Sequence, residues 1–246
     1  MSISLLTLLA FNNDILEMIV NNIDKEYHLI VGLTCKELYK ILKIFNENEN
    51  KKLIGSLNYL TSNLNLLKYA HRNNCPWNTR TIEKILNGKS NERLDCLKYA
   101  HEHDCPWHEN TCHDAAMYGH LECLKYAHEN GCHWSEDTSR DAAYNGHLEC
   151  LKYAHVNGCP WCQQTCEWAA LYGHLECLKY SHENGCSWSV KTCHAAAMNG
   201  HLECLKYAHE NGCPWTEQTC DNAALGGHLE CLKYLHENGC PWSKEM

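Results

Sequence analysis

Three observations predict an all-α fold, a solenoid of helix–turn–helix repeats. A 27-residue unit recurs almost letter for letter, opening as Gly-His-Leu-Glu-Cys-Leu-Lys-Tyr at Gly119, Gly146, Gly173, Gly200 and Gly227. Apolar positions inside the unit are spaced by three and four. No stretch alternates with period two, so strands are not required. A fixed period of this length means stacked units, each burying its apolar face only against its neighbours.

The clearest helix of the unit starts after the glycine. In residues 147–157, Leu148, Leu151 and His155 share one stripe, with Cys150 and Ala154 beside it. Glu149 falls in the first turn, where a carboxylate suits the positive helix end. Gly158 and then Pro160 form a stop signal. The other helix starts after the tryptophan. Ser135, Ser189, Thr216 and Ser243 follow Trp134, Trp188, Trp215 and Trp242 and are suited to N-capping. This helix runs through residues 192–199, with Cys193, Ala196 and Ala197 as its buried stripe. Only a glycine then separates it from the next helix, so the two are expected to be antiparallel neighbours. Looser copies at residues 66–71 and 94–101 bring the array to about seven units over residues 49–246, behind a distinct segment at 1–48.

The chain has 246 residues and a formal net charge of −9, which disfavours nucleic acid as a partner. Its 19 cysteines raise the possibility of a disulfide scaffold. Equivalent cysteines of adjacent units would lie roughly 8–10 Å apart on packed helices, too far for a bond that needs about 4.4–6.8 Å between Cα atoms. The expectation is therefore reduced, buried thiols in an intracellular, cytoplasmic protein. The N-terminus lacks a basic leader, and no apolar run approaches the roughly 18 residues of a membrane span.

The pattern Thr-Cys-x-x-Ala-Ala-x-x-Gly-His-Leu-Glu-Cys-Leu-Lys-Tyr-x-His-Glu-Asn-Gly resembles an ankyrin repeat, most strongly at Ala196-Ala197, at Gly200 to Glu203 and at Glu210 to Gly212. The resemblance covers residues 52–242. It departs from the family in length, 27 against about 33, and in lacking a Thr-Pro-Leu-His opening. Gly-Cys-Pro-Trp stands where the family carries a β-hairpin finger. Residues 9–45 resemble a degenerate F-box. Phe11 to Val20 is similar to its first helix, and Leu29 to Tyr39 to its end, with Asn12 at the family's proline and Leu38 at its tryptophan. The combination is similar to proteins of large DNA viruses, for which a host-cell setting follows. It implies an adaptor that docks a cullin-type ubiquitin ligase through Ile15, Leu16, Ile19 and Val20 while the repeats hold a protein target. A small helical cap on the array accounts equally for those four residues.

The repeats can also be compared with one another. The Gly-His-Leu helix is nearly constant, whereas the Thr-Cys helix varies on the face opposite its small-residue stripe. That face carries His113 and Met117, then Arg140 and Tyr144, then Glu167, Trp168 and Leu171, then Lys191, His194 and Met198, then Asp221, Asn222 and Leu225. A constant scaffold with a variable face suits recognition of a protein. Its last position is always bulky and apolar, either a binding ladder or core between units. Trp168 is a hot-spot candidate if exposed, and otherwise packs on the adjacent unit.

No catalytic set emerges, since the recurring histidines lack a nucleophile and an orienting carboxylate, and no phosphate loop or nucleotide fingerprint occurs. No cofactor is expected. Structural zinc is the remaining alternative, on Cys159-Pro-Trp-Cys162 with Cys166, but no second Cys-x-x-Cys supports it. The histidine opening each constant helix is expected to pack or hydrogen-bond across the tight turn. The later one, His128 or His209, lies near a helix C-terminus, where the charged form is favoured.

Overall fold

A computed structural model describes residues 64–72, 79–88 and 90–242. Among the described residues there are thirteen α-helices and no strand. They fall into two compact units, Met1–Pro106 and Trp107–Met246. The segment 1–48, its boundary and the residues expected to dock an adaptor, Ile15, Leu16, Ile19 and Val20, lie outside the described residues, as does Ser243.

The first unit contains α1 (Leu64–Arg72), α2 (Thr79–Asn87) and α3 (Arg93–Glu102). Both α1 and α2 pack on α3. Ile82, Ile85 and Leu86 of α2 and Leu97 of α3 are fully buried.

The second unit is the regular part of the array. Its helices are α4 (Thr111–Met117), α5 (Leu121–Glu129), α6 (Glu136–Tyr144), α7 (Leu148–Val156), α8 (Gln163–Leu171), α9 (Leu175–Glu183), α10 (Val190–Met198), α11 (Leu202–Glu210), α12 (Glu217–Leu225) and α13 (Leu229–Glu237). The even-numbered helices form one row and the odd-numbered helices from α5 onward form another, each touching its predecessor and its successor. The even row is the more closely packed. The reason is in the sequence. Its buried stripe consists of Cys112, Ala115 and Ala116 in α4, and of Cys193, Ala196 and Ala197 in α10, all fully buried. Side chains this small let helix axes approach. The odd row fills the interior with one large side chain per unit, Leu124, Leu151, Leu178 or Leu205, each fully buried.

Both helices of a unit end in the same way. In α5 the Cys132 N–H donates to the Ala127 carbonyl at 2.9 Å and the Gly131 N–H to the His128 carbonyl at 3.1 Å. In α4 the His120 N–H donates to the Ala115 carbonyl at 2.8 Å and the Gly119 N–H to the Ala116 carbonyl at 3.2 Å. This is the Schellman arrangement, and it places Gly119 and Gly131 at φ of 72° and 82°. Three even-row helices, α6, α10 and α12, start at the expected capping residues Ser135, Ser189 and Thr216, whereas α4 starts at Asn110 and α8 at Cys162. The Ser189 hydroxyl accepts from the Lys191 N–H at 3.3 Å. The threonine of the Thr-Cys pair reaches back in turn. Thr219 accepts from the Thr216 N–H at 3.1 Å, and Thr138 from the Ser135 N–H at 3.4 Å. Such a cap is worth roughly 1 kcal/mol.

The described cysteines are all free thiols, and every one except the half-buried Cys162 is buried. Several hydrogen-bond to main-chain carbonyls. Cys186 donates to the Cys162 carbonyl at 3.2 Å, and Cys213 to the Ser189 carbonyl at 3.2 Å. Burial pushes the thiols of Cys150, Cys177 and Cys204 up to about 12, which keeps them protonated and unreactive. The exposed ion pairs of the odd row, such as Glu149 with Lys152 at 2.9 Å, contribute little.

Candidate functional site

Two sets of contacts hold consecutive repeats of the second unit in fixed register, and so position the face opposite the small-residue stripe. The first joins the glycine and the histidine of the Gly-His pair, but across repeats. A Cβ on Gly119 would lie 2.6 Å from the His147 ring, and one on Gly173 would lie 2.5 Å from the His201 ring. The histidine fills the space the glycine leaves empty. Its ring also hydrogen-bonds to the carbonyl closing the even-row helix of the previous repeat, as in His228 Nε2 to the Met198 oxygen at 3.0 Å. His147, His174 and His201 do the same to Met117, Tyr144 and Leu171. These histidines therefore bridge to the previous repeat, while the expected packing across the turn is seen where His120 stacks on Tyr118 at 6.1 Å and where the His228 ring lies against Gly226. A turn contact was expected because sequence neighbours were the visible partners.

The second set is an aromatic ladder. His128 stacks on Trp134, with ring centroids 3.6 Å apart and planes 13° from parallel. Its Nδ1 lies 3.1 Å from the hydroxyl of Tyr153 in the next repeat. The arrangement recurs at His155, Trp161 and Tyr180, at His182, Trp188 and Tyr207, and at His209, Trp215 and Tyr234. At His236 and Trp242, where the described residues hold no following tyrosine, the stack is replaced by an edge contact at 74°. Aromatic pairs of this kind add roughly 0.5–1.5 kcal/mol each beyond their buried area. The expectation that the charged form of His209 is favoured is corrected here. Burial holds its pKa below 6.5 despite the neighbouring Glu210, because the ring lies against Trp215 as well as the helix end.

Burial also lowers the pKa values of His147, His174 and His201 below 6.5, and their bonds to main-chain carbonyls oppose this only in part. The folded protein thus prefers these rings neutral, and the unfolded chain takes up protons first. Their contribution to stability is complete above pH 6.5 and is lost as pH falls through the folded-state values. Melting temperature is expected to hold from pH 8 to 7 and to fall between roughly pH 6.5 and 5, above the carboxylate range. The His201→Gln variant should show a shallower fall. A melting temperature that rises on acidification to pH 6 would contradict this assignment.

The variable face lies on the even row. Met198 and Leu225 are 51% and 85% exposed. Met117, Tyr144 and Leu171 are half-buried, so the apolar ladder is partly surface and partly packing between units. Trp168 is half-buried and serves both roles. Its ring lies 5.4 Å from Tyr144 of the preceding repeat and stacks with Tyr172 at 6.0 Å. Tyr172 itself is 43% exposed and 4.2 Å from Tyr144. Sequence reasoning missed Tyr172 because it sits in the turn after the helix. Its signal was a bulky aromatic, shared with Tyr118, at a position that is Asn145, Asn199 or Gly226 in the other repeats.

The polar members of the face form a chain on α4 and α6. Arg140 Nε donates to Asp141 at 2.8 Å, its Nη1 pairs with Asp137, and His113 Nε2 lies 3.4 Å from Asp141. His194 Nε2 bonds with the Thr216 hydroxyl at 3.1 Å. Asn222 accepts from Gln218 at 3.1 Å. Asp221 has one buried carboxylate oxygen without a hydrogen-bond partner. Glu167 is half-buried and Lys191 is exposed. In the Cys-x-x-Cys, the Cys159 thiol donates to the Ser135 carbonyl at 3.2 Å. Among the described residues no group of three or more His, Cys, Asp or Glu side chains converges as ligands. No described helix is long and apolar enough to cross a membrane.

A stack of helix pairs with a fixed interior and a changeable face is the architecture of a protein-interaction module. The family model described as ankyrin repeats (many copies) matches residues 112–155 and 193–239. The fold is an all-α, ankyrin-repeat-like solenoid, and arrays of this type are protein–protein interaction modules. Among solved structures, the chain is similar to the human ASB11 ankyrin repeat domain at 22% identity and a TM-score of 0.48, covering 53% of this chain and 69% of that one. No curated protein sequence matches the chain closely enough to count as a relative.

Proposed function

We propose that the chain recognises a protein target through the outer face of the even-row helices, as the substrate-binding part of an adaptor whose N-terminal segment docks a cullin-type ubiquitin ligase inside the cell. The observation that carries target recognition is the contrast between the two rows. The odd row repeats nearly the same residues, while the outer positions of the even row change charge, size and aromaticity from unit to unit and include the exposed Met198 and Leu225. The ligase link rests on the F-box-like pattern of residues 9–45 alone.

Photo-crosslinking on the full chain tests the first part. A photoreactive side chain at Met198 or Leu225 should capture a target, whereas one at Lys152 or Lys179 in the odd row should not. Capture from the odd row alone would refute the assignment of the face. Affinity capture with the full chain tests the second part. A ligase adaptor should be recovered, and should be lost with Ile15→Asp plus Leu16→Asp. Target binding without any adaptor would leave an interaction scaffold with no ligase link.

A further inference from the structure

The acidic cleft at the start of α6 and the aromatic cluster at its end lie on one helix face, and their spacing defines a peptide motif. This inference rests on the assignment of the even-row face as the binding surface. The cleft has a volume of about 330 Å³. Glu109 and Asp137 line it, together with His113, His133 and Trp134. Trp134 is a preset wall, because His128 stacks on it at 3.6 Å and Tyr153 meets it edge-on at 6.1 Å. The surroundings are acidic. Asp137 and Asp141 share the single guanidinium of Arg140, and Glu109 adds a third carboxylate. A tryptophan face beside carboxylates in excess suits a cation, above all the flat guanidinium of an arginine.

No other described repeat has this pairing. The positions equivalent to Glu109 and Asp137 are Glu136 with Gln164, Gln163 with Lys191, and Val190 with Gln218. The cleft is thus particular to one place in the array, although the scaffold around it repeats.

Asp137 and Tyr144 are seven residues apart, two turns of α6, and so lie on the same face. Helical rise puts them about 10 Å apart. At Tyr144 the surface changes to the Tyr144, Trp168 and Tyr172 cluster, apolar and partly exposed. A polyproline II segment advances about 3.1 Å per residue with three residues per turn, so side chains three positions apart lie on one side, about 9 Å from each other. We propose that this face binds a polyproline II segment of a partner protein carrying an arginine or lysine three positions from a large apolar residue. The basic side chain enters the cleft between Glu109 and Asp137, and the apolar one rests on the aromatic cluster.

The test is selection of a random peptide library displayed on phage against the purified full chain. Enrichment of a basic residue three positions from a large apolar one is expected. The Glu109→Gln plus Asp137→Asn variant should weaken those peptides at least ten-fold and abolish the preference for a basic residue. Trp168→Ala should weaken them ten-fold and relax the apolar position, with the helical circular dichroism of both variants unchanged. Binders with no basic position whose affinity still falls with Trp168→Ala would overturn the motif and leave the face assignment standing. Binders indifferent to both Trp168→Ala and Met198→Lys would overturn the face assignment as well. A selection returning no binder would overturn the motif.

Discussion

The Gly173→Ala variant should lose about 2–4 kcal/mol of stability, although it adds one methyl group in a turn. Two costs combine. Gly173 sits at φ of 75°, where a side chain strains the backbone by about 1–2 kcal/mol. Its new Cβ would also meet the His201 ring at 2.5 Å, displacing it from the Leu171 carbonyl. Gly185 separates the two costs. It has a φ of 87° and nothing within 4 Å of the place a methyl group would take, so Gly185→Ala should carry only the backbone strain, about 1–2 kcal/mol. In the double variant Gly173→Ala plus His201→Ala the costs should add to less than their sum by about 1 kcal/mol. Urea denaturation of Gly173→Ala, His201→Ala, the double variant, Gly185→Ala and the parent chain measures this directly. Equal losses for Gly173→Ala and Gly185→Ala would show that the ring does not occupy the glycine's space.

A comparable loss is expected in the interior. Leu178 is fully buried, and it is the one large side chain that α9 contributes to the packing between the rows. Leu178→Ala should cost about 3–4 kcal/mol. Its position makes the effect larger in kind. Each repeat contacts only its neighbours, so weakening a central unit uncouples the two sides of the array. The denaturation curve should broaden or split into two steps. The same deletion at Leu232, half-buried in α13, removes less packing and has no repeat on its far side among the described residues. It should cost about 1–2 kcal/mol and leave the transition single. A sharp single transition for Leu178→Ala would contradict the nearest-neighbour account.

Much of the fold was legible because its signals are local. The three-and-four spacing of Leu148, Leu151 and His155, the stop at Gly158 and the capping hydroxyls at Ser189 and Thr216 each act within a few residues. The links between repeats were not legible for the opposite reason. His147 meets Gly119 and the Met117 carbonyl in the preceding repeat, and His128 meets Tyr153 in the following one. A constant residue in a repeat looks the same whether its partner is in its own unit or the next. The cysteines show a related gap. Comparing equivalent positions across units excluded a bond, but the close approach is between different positions, where Cys193 lies 3.8 Å from the Cys213 carbonyl. Ser139 takes the same place in its repeat and donates instead to Cys159 Sγ at 3.2 Å. On the variable face, the alternation of residues was readable, but the gathering of Tyr144, Trp168 and Tyr172 from two repeats was not.

The measurement that bears most directly on the account is the stability of a face graft. The outer residues of α8 are replaced by those of α10, as Glu167→His, Trp168→Ala and Leu171→Met, with the buried Thr165, Cys166, Ala169 and Ala170 untouched. If interior and face are separable, urea denaturation should show a loss of no more than about 1–2 kcal/mol with the slope unchanged. A loss of about 4 kcal/mol or more, or a broadened transition, would mean that these side chains are core and that the array has no face free to change.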